Sequence, residues 1–184
     1  MKGIIYLIIN MFNIIVAMCK KNRGIGFKND LPFNVPKDLL RFKELTIGKK
    51  NNCVIMGKKT WLSLPESSKP LKNRENIVLT RRSNVIDMTG KGYLLNNIEL
   101  LPIFCKNRKY DENWIIGGSE IYNKILEMGL VKKVYITEVY GEYESDVFFP
   151  ELDYSYFELI SREEDNCDGI KLTYKIFGKK IKKI

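Results

Sequence analysis

One carboxylate stands on an otherwise apolar helix face, and it is the first place where this chain could do chemistry. In Leu31-Pro32-Phe33-Asn34-Val35-Pro36-Lys37-Asp38-Leu39-Leu40-Arg41-Phe42, two prolines hold the approach extended, because proline restricts itself and its predecessor. Pro36 suits the first turn of a helix, where its missing N–H is not needed. The spacing predicts a helix over residues 36–46, closed by Gly48. Asp38, Phe42 and Leu45 fall at i, i+4 and i+7 on one face, with Leu39 at its edge. Two readings fit this stretch. In one, Asp38 complements the helix dipole from the first turn. In the other, it is a buried carboxylate with a raised pKa, suited to an N–H-rich ligand and to proton transfer. The rest of the chain favours the second.

Three loops at the ends of predicted strands could hold anions, since open α/β sheets bind ligands there. Gly57-Lys58-Lys59-Thr60 joins a strand to a helix. Its glycine permits close backbone approach, the first helical amides are free, and two lysines add charge. That makes a phosphate site, though a plain strand-to-helix turn has the same composition. Gly117-Gly118-Ser119 repeats the device, and paired glycines also serve as ordinary turns. Neither loop is a Walker P-loop or a Rossmann fingerprint. Thr80-Arg81-Arg82-Ser83 offers hydroxyl and guanidinium donors for a phosphate monoester, although a solvated basic loop is the simpler reading of that stretch alone. Two phosphate sites in one domain imply a dinucleotide, and a third anion site points to NADP rather than NAD. Finally, Arg74 in Leu71-Lys72-Asn73-Arg74 could clamp a carboxylate in a bidentate way, though most arginines are surface residues.

The elements that must position these groups alternate along the chain. Buried strands are predicted at residues 12–18, 52–56, 76–80, 92–95, 114–116 and 134–139. Helices are predicted at 36–46, 59–64, 97–106 despite Pro102, and from Ser119, its expected cap, to Met128. Residues 156–162 and 171–177 read as an antiparallel hairpin around Asp165-Asn166-Cys167-Asp168-Gly169. The fold class is therefore α/β: one domain with a mostly parallel sheet, helices on both faces, and the hairpin supplying an antiparallel C-terminal edge strand.

Composition limits the alternatives. A length of 184 residues suits one domain with a full core. The net charge of +9 favours anionic partners such as nucleotides, nucleic acid or a membrane surface. Lys179, Lys180, Lys182 and Lys183 supply four of those charges and read as a solvated tail. There is no histidine, which excludes a Ser-His-Asp triad, a Cys-His pair and any histidine metal site. Cys19, Cys53, Cys105 and Cys167 are far apart, so no metal site is expected, and free thiols in the cytoplasm follow. Gly3 to Ile9 is apolar but far short of the roughly 20 residues that span a bilayer. No cleavage site follows it, and Met11 could be the working start, leaving residues 1–10 as an extension.

Taken in order, seven motifs resemble the dihydrofolate reductase family. They are Ile14-Ile15-Val16-Ala17, Gly24-Ile25-Gly26, Leu31-Pro32 through Phe42, Val54-Ile55-Met56-Gly57-Lys58-Lys59-Thr60-Trp61, Pro70-Leu71-Lys72-Asn73-Arg74, Trp114-Ile115-Ile116-Gly117-Gly118-Ser119 and Ser145-Asp146-Val147-Phe148-Phe149-Pro150. Each is modest alone; their joint order and spacing over residues 12–177 is specific. Gly-Lys-Lys-Thr-Trp, Gly-Gly-Ser and Phe-Phe-Pro look like the eukaryotic branch.

The resemblance implies one domain over residues 11–179 with an eight-stranded sheet, followed by a basic tail at 180–184. It implies NADPH-dependent reduction of 7,8-dihydrofolate to tetrahydrofolate, serving one-carbon metabolism and thymidylate synthesis. It further implies antifolate binding, a monomer, and no nucleic-acid or membrane partner. Asp38 would bind the pterin 2-amino group and N3 and assist protonation of N5, with Thr137 supporting it. Leu31, Leu39, Phe42 and Leu64 would wall the pterin and benzoyl rings, with Val16 and Leu71 alongside. Ile15 and Ile116 would offer carbonyls to the pterin edge, Tyr122 would lie near the nicotinamide, and Arg74 would hold the glutamate α-carboxylate. Ala17, Ile25 and Gly26 would flank the nicotinamide. Gly57 through Thr60, and Gly117, Gly118, Ser119, Glu120 and Ile121, would take the pyrophosphate. Lys58, Leu79, Thr80 and Arg81 would hold the adenosine 2′-phosphate end. Residues 20–32 would form a flexible loop over the nicotinamide.

One departure stands out. Phe33 replaces a family tryptophan whose N–H helps hold an active-site water, and phenylalanine cannot donate. That motivates an alternative, a folate- and NADPH-binding protein with little turnover. A basic nucleic-acid-binding domain would need exposed aromatics among basic residues, whereas the aromatics here fall mainly at strand and core positions.

Overall fold

The computed structural model describes residues 12–49, 51–82 and 88–180. The expected extension at residues 1–10, Ser83 of the third loop, and Lys182 and Lys183 of the tail lie outside them. In chain order the elements are β1 (Phe12–Cys19), β2 (Gly24–Gly26), α1 (Pro36–Ile47), β3 (Cys53–Gly57), α2 (Lys58–Ser63), β4 (Glu75–Leu79), β5 (Tyr93–Leu95), α3 (Leu101–Arg108), β6 (Asn113–Gly117), α4 (Ser119–Glu127), β7 (Val131–Val139), β8 (Val147–Phe148), β9 (Phe157–Cys167) and β10 (Ile170–Lys179).

Strand β1 is apolar on both sides because it is covered on both sides, as parallel strands usually are. Phe12, Ile14, Val16 and Met18 face one cluster, which α3 and α4 close with Leu101, Cys105, Tyr122 and Ile125. Ile15 faces the other, with Val54, Met56, Trp61 and Trp114, against which Phe42 and Leu45 of α1 pack. Each large apolar side chain buried this way contributes about 1.5–3 kcal/mol.

Eight strands form one sheet in the order β5-β4-β3-β6-β1-β7-β10-β9. The first six are parallel, β10 is antiparallel to β7, and β9 is antiparallel to β10. The antiparallel strand is thus second from the edge, and β9 outside it runs with the parallel set. The chain leaves β1 for β3 through α1 on one face and leaves β6 for β7 through α4 on the other. Where neighbouring strands diverge in this way, a crevice opens at their carboxyl ends.

Local chemistry sets the helix limits. Pro36 begins α1, and Gly48, at φ +55°, ends it with its N–H donating to Glu44 O. Pro102 falls in the first turn of α3, where proline costs no hydrogen bond. The expected cap at Ser119 is corrected: Gly118 is the N-cap, and Ser119 Oγ instead donates to Phe148 O at 2.7 Å. That bond ties α4 to a small second sheet, β2 with β8, which sequence patterning missed. Residues 20–32 are accordingly not a free loop. They pair through β2, Asn22 Nδ2 donates to Tyr143 O at 3.3 Å, and Lys21 is ion-paired to Glu142.

Candidate active site

Helix α1 places Asp38 in its first turn, half-buried. Thr137 of β7, 2% exposed, lies beside Ala17 of β1, and its hydroxyl donates to the Asp38 carboxylate. Burial is the largest influence on Asp38 and raises its pKa above the usual 3.8; the Thr137 hydrogen bond and the Arg41 charge oppose it. Asp38 is thus a first-turn carboxylate whose largest influence is burial. Across the end of β1, buried Tyr122 donates its hydroxyl to Ile15 O at 2.8 Å. Burial first, and then the charge of Asp38, push that phenol far up, so it stays neutral.

The apolar walls are uneven. Ile15 and Leu71 are buried, and Phe42, Leu64 and Ile116 are half-buried against the same cluster. Leu31 and Leu39, expected to wall the ligand, are 48% and 49% exposed. Val16 is a correction: alternation along β1 sends its side chain into the opposite cluster, so only its backbone belongs to this face. Phe33 packs edge-on against Tyr143 with ring centroids 5.4 Å apart, in a cluster with Val35 and Tyr174, and offers no donor.

Arg74 is held rather than free. Its Nη1 donates to Thr46 Oγ1 at 2.6 Å and its Nε to Lys72 O at 3.1 Å, and the guanidinium lies 5.6 Å from the Phe42 ring centroid. Burial draws its pKa down, though an arginine stays charged. Buried Asn76 fixes the preceding turn, with Nδ2 donating to Leu71 O at 2.9 Å and Arg74 O at 2.8 Å. Neither Thr46 nor Asn76 was visible in the sequence as a supporting group, because their partners are set by the turn and not by local spacing.

The two glycine loops meet. A Cβ on Gly117 or Gly118 would stand 3.3 Å from Thr60 Oγ1, and one on Gly57 would stand 3.2 Å from Ile121 Cγ1. Gly117 also adopts φ +127°, which side chains rarely take. The glycines let the starts of α2 and α4 approach closely, which makes their backbone a candidate cradle for an anion. Lys58 is half-buried at its rim, while Lys59 and Glu120 are exposed. Beyond the end of β4, where Leu79 is buried, Arg82 N donates to Thr80 Oγ1 at 3.3 Å, and Arg81 is exposed. Ile25 and Gly26 lie on β2 beside the crevice, with Ile25 packed on the first cluster. A phosphate-bearing ligand fits this lining by charge and by backbone access.

Among the described residues no cluster of His, Cys, Asp and Glu could hold a metal, and no helix is long and apolar enough to cross a membrane. A family model described as dihydrofolate reductase matches residues 11–179. The dihydrofolate reductase of Gallus gallus is 35% identical over 188 residues, covering 94% of this chain and 98% of that protein. That of Drosophila melanogaster is 35% identical over 180 residues, covering 91% and 97%. The viral dihydrofolate reductase of Saimiriine herpesvirus 2 is 33% identical over 185 residues, covering 92% and 85%.

Proposed function

The chain belongs to the dihydrofolate reductase family and reduces 7,8-dihydrofolate to 5,6,7,8-tetrahydrofolate, and we propose that NADPH is its reductant and that Asp38 governs the proton. The observation that carries the site assignment is the Asp38–Thr137 pair at the carboxyl ends of the sheet, next to two facing glycine loops. When bound, NADPH supplies the hydride that pterin C6 accepts.

The chain's own residues do the rest. Asp38 takes the pterin 2-amino group and N3 as hydrogen-bond donors, and Thr137 orients its carboxylate. Burial raises its pKa above the usual carboxylate value, which favours its holding a proton and promoting protonation at N5, and that makes the imine a better hydride acceptor. The carbonyls of Ile15 and Ile116 face the pterin edge, and Phe42 and Leu64 exclude water from the rings. Arg74 receives the glutamate carboxylate. The cradle of Gly57 to Thr60 and Gly117 to Ile121 receives the pyrophosphate, and Lys58, Thr80 and Arg81 the 2′-phosphate. We further place the protein in the cytoplasm as a monomer of residues 11–179 that antifolates inhibit.

The direct experiment is loss of NADPH absorbance, with and without dihydrofolate, repeated with NADH. Dihydrofolate-dependent oxidation favouring NADPH is expected. NADPH binding without oxidation would support the binding-only reading that Phe33 raises. A second expectation concerns the cradle. Gly117→Ala puts a Cβ into a positive-φ position and against Thr60 Oγ1 at 3.3 Å, a strain of about 1–3 kcal/mol. NADPH affinity, read by fluorescence quenching, should fall about tenfold or more, with dihydrofolate affinity changed far less. An unaltered NADPH affinity in the folded variant would remove the loop assignment.

A further inference from the structure

We propose that Arg41 is a positioning residue for this reaction: a ring of contacts holds its fixed positive charge beside Asp38, and that charge sets the pH at which turnover declines. The inference rests on the role proposed above for Asp38.

The ring starts and ends on α1. Lys37 Nζ donates to Asp165 Oδ1 of β9 and to Asn166 O at 3.2 Å. Asp165 Oδ2 accepts the hydroxyl of Tyr174 of β10 at 3.2 Å. The Arg41 guanidinium lies over the Tyr174 ring, 4.4 Å from its centroid. Lys37 and Arg41 stand four residues apart on one helix face, and Asp38 and Arg41 stand three apart, where side chains are neighbours. An arginine on a helix surface ordinarily samples many rotamers. Here the aromatic platform, itself pinned through Asp165, fixes where the charge sits.

The other groups facing Asp38 cannot replace it. Thr137 of β7 carries no charge, and buried Tyr122 of α4 is neutral. Tyr174 of β10 is pushed up to about 12, by burial first and then by Asp165 and Asp38, so it too is neutral in the working range. Tyr135 of β7, whose phenol burial also raises, feels the same Arg41 charge. Lys37 is committed to Asp165. Among the described residues, Arg41 is the cation that acts on Asp38.

The sign follows from the charge. A cation favours the carboxylate over the acid, so it opposes the effect of burial. Turnover needs the protonated form and declines as pH rises through the titration of Asp38. Without Arg41 that titration moves upward, and the decline moves with it. For a half-exposed pair the shift is about half to one pH unit.

The test is the pH profile of kcat at saturating NADPH and dihydrofolate for wild type, Arg41→Met, Arg41→Gln and Arg41→Lys. The two neutral variants should move the midpoint up by about half to one unit, and the lysine variant should restore most of it, because charge and not hydrogen bonding is at work. If Arg41→Met does not fold, Arg41→Gln, with its similar stem and polar head, carries the comparison. An unchanged midpoint in a folded neutral variant overturns the inference, even if kcat falls uniformly. So does a lysine variant that shifts as far as methionine. Absence of dihydrofolate-dependent oxidation in wild type would overturn the proposed function as well, whereas an active wild type with these negative results overturns the Arg41 role alone.

Discussion

Asp38→Asn is expected to lower turnover at pH 7 by about a hundred-fold or more, the usual worth of a positioned acid–base group. NADPH affinity should change little, because the cradle between α2 and α4 shares no residue with the Asp38–Thr137 pair. Asparagine still accepts from Thr137 and keeps the side chain's shape, so the change isolates the proton. The remaining activity should rise about tenfold for each unit of falling pH, since N5 must then draw its proton from solution. The same substitution should stabilise the ligand-free protein. Burial holds the Asp38 pKa above the usual 3.8. Below that value the carboxyl is protonated in folded and unfolded chains alike and costs nothing. As pH rises through the folded-state titration, the half-buried carboxylate weakens the fold. The variant should therefore melt above wild type at pH 7 and with it at about pH 3. Steady-state kinetics, cofactor titration and thermal melts at both pH values decide the matter. Parallel losses of turnover and cofactor affinity, with a lower melting temperature, would make Asp38 a structural residue.

That prediction began with spacing alone, which shows where sequence reasoning is strong in this chain. Apolar runs of four to eight residues separated by glycine and proline mark parallel strands because both faces of such strands are covered. Pro36 and Gly48 act through backbone limits that need no tertiary context. The same reasoning fails where tertiary partners decide. Strands β2 and β8 are three and two residues long and carry no periodic pattern. Ser119 has the chemistry of a cap, yet Phe148 O takes its hydroxyl. Val16 sits inside a site motif, but alternation turns its side chain away. The Lys37–Asp165 contact joins residues 128 apart in sequence, and nothing local to Arg41 announces Tyr174 beneath it. Residues whose types could do chemistry stand out in the sequence, whereas the contacts that hold them do not.

Arg74→Ala should raise the dissociation constant for dihydrofolate by about 10- to 100-fold, with NADPH affinity unchanged and kcat reduced far less. Hydrogen bonds to charged partners contribute about 1.5–3 kcal/mol, and each 1.4 kcal/mol is tenfold in affinity. The geometry argues that orientation matters as much as charge. Two of the five guanidinium N–H groups are engaged, one by Thr46 Oγ1 and one by Lys72 O. The remaining three form a fixed fork that matches a carboxylate in a bidentate way. Thr46 is fully buried, and its own hydroxyl donates to Phe42 O at 2.7 Å, so the clamp is referenced to the helix that carries Asp38. Two consequences separate a fork from a point charge. Arg74→Lys should recover less than half of the lost binding free energy, because an ammonium keeps the charge but cannot present parallel donors. Thr46→Val should weaken dihydrofolate binding by a smaller factor while leaving the arginine in place. Full recovery by lysine would reduce Arg74 to general electrostatic attraction. Unchanged dihydrofolate affinity in Arg74→Ala would place the substrate carboxylate elsewhere.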